Sequence, residues 1–279
     1  MTLTLTQSQQ RSYAEDGFLF LPGCFSQSEV DVLKRQLPDV FARNNQMRVT
    51  ENDERIVRSV YGSHTKNQVF EKLTKHPRLV QPSKQLLGSD VYIYQFKINA
   101  KAAFGGDLWE WHQDYTFWNR EDGMPSPRAM SAMLFVDEVN EFNGPLFLIP
   151  GSHKEGIIDC AKRSNGNGHG MGAANGDPAW TSSVTAKLKY ALDRETLGRL
   201  AGSYGMVAPK GPAGSVLFFD SSIVHGSANN ISPFDRVVVI VTFNSTENIP
   251  DKALSSRPEF LSSEDYTSIV ALPDNALFL

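Results

Sequence analysis

The chain has 279 residues, 41% of them hydrophobic and 10% aromatic, enough to bury one large core without a second domain. A net charge of −4 and a pI near 5.9, with Lys and Arg scattered along the chain, leave no footprint for nucleic acid or an anionic membrane. Two cysteines, Cys24 and Cys160, argue against a disulfide framework, and no stretch nears the length of a membrane span, so a cytoplasmic protein with a small-molecule partner is expected.

The opening residues, Met1 to Gln7, lack the basic and apolar regions of a secretory signal. Residues 1–89 read as mainly helical. Gln7 to Glu15 suits a first helix, and Gly17 to Leu21 a short strand closed by Pro22-Gly23. Ser26 and Glu29 then have capping-box spacing, and Val30, Val32, Leu33, Leu37, Val40 and Phe41 recur at helical intervals, predicting one helix as far as Ala42. Further helices are expected through Val69–Leu73 and Leu79–Leu87. From Asp90 onward the pattern changes to short β runs: Val91–Ile98, Ala129–Val136, Leu146–Ile149, Val216–Phe219 and Val237–Asn244. Turns such as Asn143-Gly144-Pro145 and Pro212-Ala213-Gly214 divide them. Helices ahead of many short strands predict a single domain over 1–279. Its fold is expected to be mainly β with flanking α-helices, a double-stranded β-helix (cupin-like jelly roll) whose core covers 90–250. About 160–180, the run Asn165-Gly166-Asn167-Gly168-His169-Gly170-Met171-Gly172 offers little to bury, so a flexible insertion is expected, as a surface loop or as an active-site lid.

The residues that carry chemistry begin at Trp111-His112-Gln113-Asp114. On a strand, His112 and Asp114 would share one face, and Val224-His225-Gly226 supplies a second imidazole much later. Two His and one carboxylate form the facial triad of non-haem Fe(II) oxygenases, which leaves adjacent coordination positions for a co-substrate and O2. Buried structural histidines are the plain alternative. Arg236 follows His225 by eleven residues, at the start of the apolar run Val237–Val241, and an Arg there needs a partner. Its planar fork suits the distal carboxylate of 2-oxoglutarate, or a structural salt bridge to Asp235 or Asp220. Gln95, Lys97 and Asn99 alternate onto one face of their strand, so the stripe lines a cavity or faces solvent.

Taken together, Trp111-His112-Gln113-Asp114, Glu121-Asp122-Gly123-Met124-Pro125, Asn143-Gly144-Pro145-Leu146, Ile149-Pro150-Gly151-Ser152-His153 and Val224-His225-Gly226-Ser227 resemble the phytanoyl-CoA dioxygenase superfamily. The resemblance implies dependence on Fe(II), 2-oxoglutarate and O2, with release of succinate and CO2. It makes His112, Asp114 and His225 iron ligands and Arg236 the anchor of the 2-oxoglutarate tail. Gln95, Asn99 and Lys101 become candidates to contact co-substrate or substrate. Within the family the chain is most similar to ectoine hydroxylases and to hydroxylases of free aliphatic amino acids such as leucine. Ectoine hydroxylases have a small polar residue where this chain has Gln113, and a His where it has Asn119, which favours the free amino acid branch. By that likeness Arg257 would clamp a substrate α-carboxylate and Trp118 would wall the pocket. An exposed loop Arg and simple core packing are the corresponding alternatives. The other functions weighed are hydroxylation of an ectoine-like or carrier-bound amino acid, and a non-catalytic metal-binding cupin-like module. A halogenase is disfavoured because Asp114 occupies the position that such enzymes leave small. His153 follows a turn and reads as structural.

Overall fold

A computed structural model of the protein describes residues 3–43, 45–51, 55–158, 179–185, 187–251 and 257–279. The chain opens with α1 (Gln7–Asp16) and β1 (Phe18–Leu21), followed by α2 (Gln27–Lys34) and α3 (Leu37–Ala42). The single helix expected from Ser26 to Ala42 is therefore two. Pro38, the second residue of α3, has no N–H to give the Lys34 carbonyl and its ring crowds that oxygen, so the helix restarts there. The predicted capping box holds: Ser26 and Glu29 exchange side-chain and backbone hydrogen bonds. Next come β2 (Arg48–Thr50), β3 (Val57–Tyr61), α4 (Gln68–Thr74) and α5 (Pro77–Leu87). The first ninety residues thus add two strands, β2 and β3, to the expected helices and the expected strand β1. The remainder holds β4 (Val91–Lys101), β5 (Trp109–His112), α6 (Asp114–Asp122), β6 (Ala129–Phe135), β7 (Leu146–Leu148), α7 (Arg194–Tyr204), β8 (Val216–Asp220), β9 (His225–Ser227) and β10 (Arg236–Ser245). The glycine- and asparagine-rich run, with Cys160 and His169, lies outside the described residues.

Two antiparallel sheets face each other in the jelly-roll manner. The larger has the order β1-β8-β6-β10-β4-β3-β2 and the smaller β5-β9-β7. Strand periodicity explains the layering. In β10, Val237, Val239, Val241 and Phe243 pack outward against residues of the N-terminal helices such as Leu33, Phe70 and Val80, while Val238 and Ile240 face inward with Met133, Phe135, Leu217 and Phe219. Both faces are covered, so β10 reads as an unbroken apolar run and all its residues are buried.

One irregularity matters for the site. In the pairing of β10 with β4, Thr242 lies opposite Gln95 and Phe243 opposite Ile93, which leaves Tyr94 as an extra residue. Tyr94 then packs with Trp118 of α6 and Gln95 turns into the cavity, while Ile93 and Phe96 stay on the helical side. Among the described residues no helix is long and apolar enough to cross a membrane.

Phe96 couples sheet to helices, with its ring 5.6 Å from that of Phe70 and no solvent exposure. Phe96→Ala is expected to lower unfolding free energy by about 3–5 kcal/mol in denaturant titrations, and a loss under about 1 kcal/mol would contradict this packing.

Candidate metal and co-substrate site

The two imidazoles meet because β5 pairs with β9 in a register that sets His112 opposite His225. Their ring centroids are 4.2 Å apart. Asp114 does not continue the strand, as the alternation argument supposed. Gln113 is still extended (φ −114°, ψ 128°) and precedes α6, which Asp114 begins, and there the helix N-terminus favours a carboxylate. Asp114 Oδ1 lies 3.4 Å from His112 Nε2 and 3.9 Å from His225 Nε2, and one ligand atom from each residue falls within 4.8 Å of the others.

Each ring is oriented from behind. His112 Nδ1 sits 2.6 Å from the Glu110 carbonyl and His225 Nδ1 2.9 Å from the Ile223 carbonyl. A carbonyl only accepts, so both Nδ1 atoms carry a proton, and both Nε2 atoms face Asp114. Burial, reinforced by His112, pushes the His225 imidazole down to about 3, so it stays neutral and able to ligate. Burial alone would raise the Asp114 carboxyl, but Lys97, His112 and His225 outweigh it and hold the group well below the ordinary carboxylate range. Asp114 Oδ2 is buried and accepts no hydrogen bond. An orphaned carboxylate oxygen beside two imidazoles is a donor set that fits a divalent transition metal such as Fe(II).

Beside the triad opens a cavity walled by residues of both sheets. Gln95, Lys97, Asn99 and Lys101 of β4 all line it, so the polar stripe faces the interior rather than solvent. Arg236, Arg257 and Trp118 line it too, which brings every residue singled out in the sequence to one place. Their states differ. Arg236 is 5% exposed and donates to the carbonyls of Asn143 and Gly144, with no carboxylate in salt-bridge range among the described residues, so neither Asp235 nor Asp220 pairs with it. Burial lowers its guanidinium to about 10, still charged at neutral pH. Lys101 points its ammonium at the carbonyls of Asp107 (2.5 Å) and Ala228 (2.6 Å), and burial, with Arg236 and Arg58 nearby, pushes it down to about 6. Gln95 donates to the Leu261 carbonyl, and Asn99 Oδ1 is buried without a partner. Arg257 is buried rather than exposed, and it pairs with Asp122 at 2.9 Å, which also accepts from the Tyr94 hydroxyl.

Sequence reasoning gave Lys97 no separate role. Its signal was present: a cation on the inward face of β4 between two named candidates. Tyr61, Phe117 and Val184 also wall the cavity and carried no signal, because they come from β3, α6 and the turn after Ser183.

A double-stranded β-helix with this triad and a buried Arg on the neighbouring sheet defines the class of Fe(II)/2-oxoglutarate-dependent dioxygenases. The phytanoyl-CoA dioxygenase (PhyH) profile matches residues 13–238. The L-proline trans-4-hydroxylase of Streptomyces griseoviridis is 39% identical over 266 residues, covering 95% of each chain. The ectoine dioxygenase of Bordetella bronchiseptica is 37% identical over 267 residues, covering 93% of this chain and 82% of its own. Among solved structures, EctD from S. alaskensis with 2-oxoglutarate and 5-hydroxyectoine superposes with a TM-score of 0.80 at 30% identity, covering 96% of this chain and 87% of that one. The chain belongs to the phytanoyl-CoA dioxygenase family.

The turn that leads to His225 starts at Asp220, whose carboxylate accepts from the Ser222 N–H at 2.7 Å while burial raises it to about 7. The folded state therefore holds a proton that the unfolded chain releases near 4. That stabilisation is complete below about pH 4 and is lost as pH rises through 7. Asp220→Asn keeps the acceptor and removes the titration. In denaturant unfolding between pH 4.5 and 6.5 the variant should gain on wild type by up to about 1.4 kcal/mol per pH unit, whereas parallel curves would contradict the shift.

Proposed function

We propose that this chain hydroxylates an unactivated C–H bond of a small free aliphatic amino acid, and that His112, Asp114 and His225 hold the iron. The reading rests on one observation above the rest: Lys97 enters the cavity close enough to act on Asp114 and His225 electrostatically, and among the described residues it makes no hydrogen bond or ion pair. A half-buried cation beside the triad suits an anion, and the α-carboxylate of an amino acid supplies one.

Bound iron and 2-oxoglutarate supply oxidative decarboxylation coupled to oxygen insertion, and the protein supplies placement. Arg236, fixed by two backbone carbonyls, suits the distal carboxylate of 2-oxoglutarate. Asn99, with its free oxygen, and Lys101 adjoin that position from β4. Arg257 has its charge balanced by Asp122, so it serves better as a rigid wall with Trp118 than as the principal carboxylate clamp. Phe117, Trp118 and Val184 give the substrate an apolar surround that excludes water from the reacting carbon. The proline and ectoine enzymes among the relatives make L-proline and ectoine first candidates, with leucine as the acyclic one.

The test is to incubate purified protein with Fe(II), 2-oxoglutarate, O2 and each candidate, measuring succinate together with a product heavier by one oxygen atom. No coupled turnover with any small amino acid or ectoine would remove the substrate claim. Asp114→Ala and His225→Ala should fold and lose turnover, and wild-type activity in either would reject the ligand assignment. Loss of one charge-assisted pair corresponds to about 1.5–3 kcal/mol, or about ten- to a hundred-fold. Lys97→Ala should raise the amino acid KM by that factor with little change for 2-oxoglutarate, and Arg236→Ala should do the reverse.

A further inference from the structure

Gln113 stands between two of the converging groups, yet it does not line the cavity, and it is 1% exposed. Its carboxamide is fully used. The Nε2 group donates to the carbonyls of Gly156 (2.8 Å) and Ser222 (2.6 Å), and Oε1 accepts from the Ile158 N–H (2.9 Å) and the Thr116 hydroxyl (3.3 Å). That is two donors and two acceptors, every hydrogen bond a primary amide can make. The orientation cannot be reversed, since two partners are carbonyls and one is a backbone N–H.

The Ser222 contact is the consequential one. Ser222 precedes Ile223, whose carbonyl fixes the His225 ring. The adjoining peptide is held in the same way, by the Tyr115 N–H donating to the Ser221 carbonyl at 2.8 Å. Residues 113 and 115, which flank Asp114, therefore grip the turn that aims His225.

We propose that Gln113 is a positioning residue for the metal centre. Its side chain locks the Ser221–Ile223 turn, and through the Ile223 carbonyl the direction of His225 Nε2, against His112 and Asp114. One side chain thereby ties together ligands 113 residues apart in sequence (225 − 112 = 113). The same amide also pins the chain at Gly156 and Ile158, so the segment that leaves the small sheet shares the anchor. The inference rests on the reading of the triad as a metal site.

Mn(II) binding to the full-length apoprotein, followed by titration calorimetry, tests it without turnover. Gln113→Met keeps the volume and removes all four hydrogen bonds, so it should bind Mn(II) about 10- to 100-fold more weakly than wild type while remaining folded by circular dichroism. Asn248 serves as the control, being another buried amide, bonded to Ser126 and Asn244 and outside the cavity lining. Asn248→Leu should lower the melting temperature but keep Mn(II) affinity within about twofold. Should Gln113→Met fail to fold, Gln113→Asn, which shortens the reach to Ser222 and keeps an amide, is read by the same criterion. Wild-type affinity in a folded Gln113 variant, or an equal loss in Asn248→Leu, overturns the proposal. Wild-type protein that binds no Mn(II), or His225→Ala that binds it as tightly as wild type, would instead overturn the metal-site reading itself.

Discussion

A carboxylate withdrawn from water between two imidazoles is the constraint on which the interior of this protein depends. Removing Asp114 from solvent is unfavourable by itself, and the surroundings compensate with Lys97, the first turn of α6 and the two rings. His225 does so without becoming charged, because burial keeps it neutral and its Nδ1 proton is committed to a backbone carbonyl. The result is a carboxylate oxygen and two imidazole lone pairs aimed at one point. The donor set suits a first-row transition metal better than Mg²⁺ or Ca²⁺.

The large sheet makes this possible by serving two cores at once. Its outer face is sealed by the N-terminal helices, which leaves the inner face free to combine apolar packing near β8 and β6 with the polar stripe of β4. The bulge at Tyr94 shifts the stripe by one residue relative to β10, so that Gln95, Lys97, Asn99 and Lys101 all face the cavity while Tyr94 is released to bond Asp122. Asp122 in turn balances Arg257 across the cavity wall. The interior therefore separates its cations by state. Arg257 is matched by a carboxylate, Arg236 is met by carbonyls, and Lys97 acts on the triad without a fixed partner. Anionic small molecules are the ligands such a field attracts.

Period-two alternation in β4 made the polar stripe legible in advance, though not whether it faced a cavity or solvent, and the apolar run Val237–Val241 was legible as a strand. The departures share a physical cause, which is that they depend on contacts distant in sequence. Strands β2 and β3 are short and gain their pairing only by adding to the edge of β4. Asp114 begins a helix directly after Gln113, whose side chain is held by Ser222 and Gly156, neither of which is near it in the chain. Arg257 looked like an exposed loop residue or a clamp, and the buried Asp122 that neutralises it could not be identified from spacing.

The sequence by itself determined the residue types able to ligate iron, the capped helices, the strand periods and the family pattern, since these are local properties or short motifs. The tertiary structure decided which ligand atoms converge, which basic side chain in the cavity has no fixed partner, and what holds the turn before His225 in place. Those outcomes depend on burial and on backbone carbonyls brought together by sheet pairing, and neither quantity exists for a chain until it has folded.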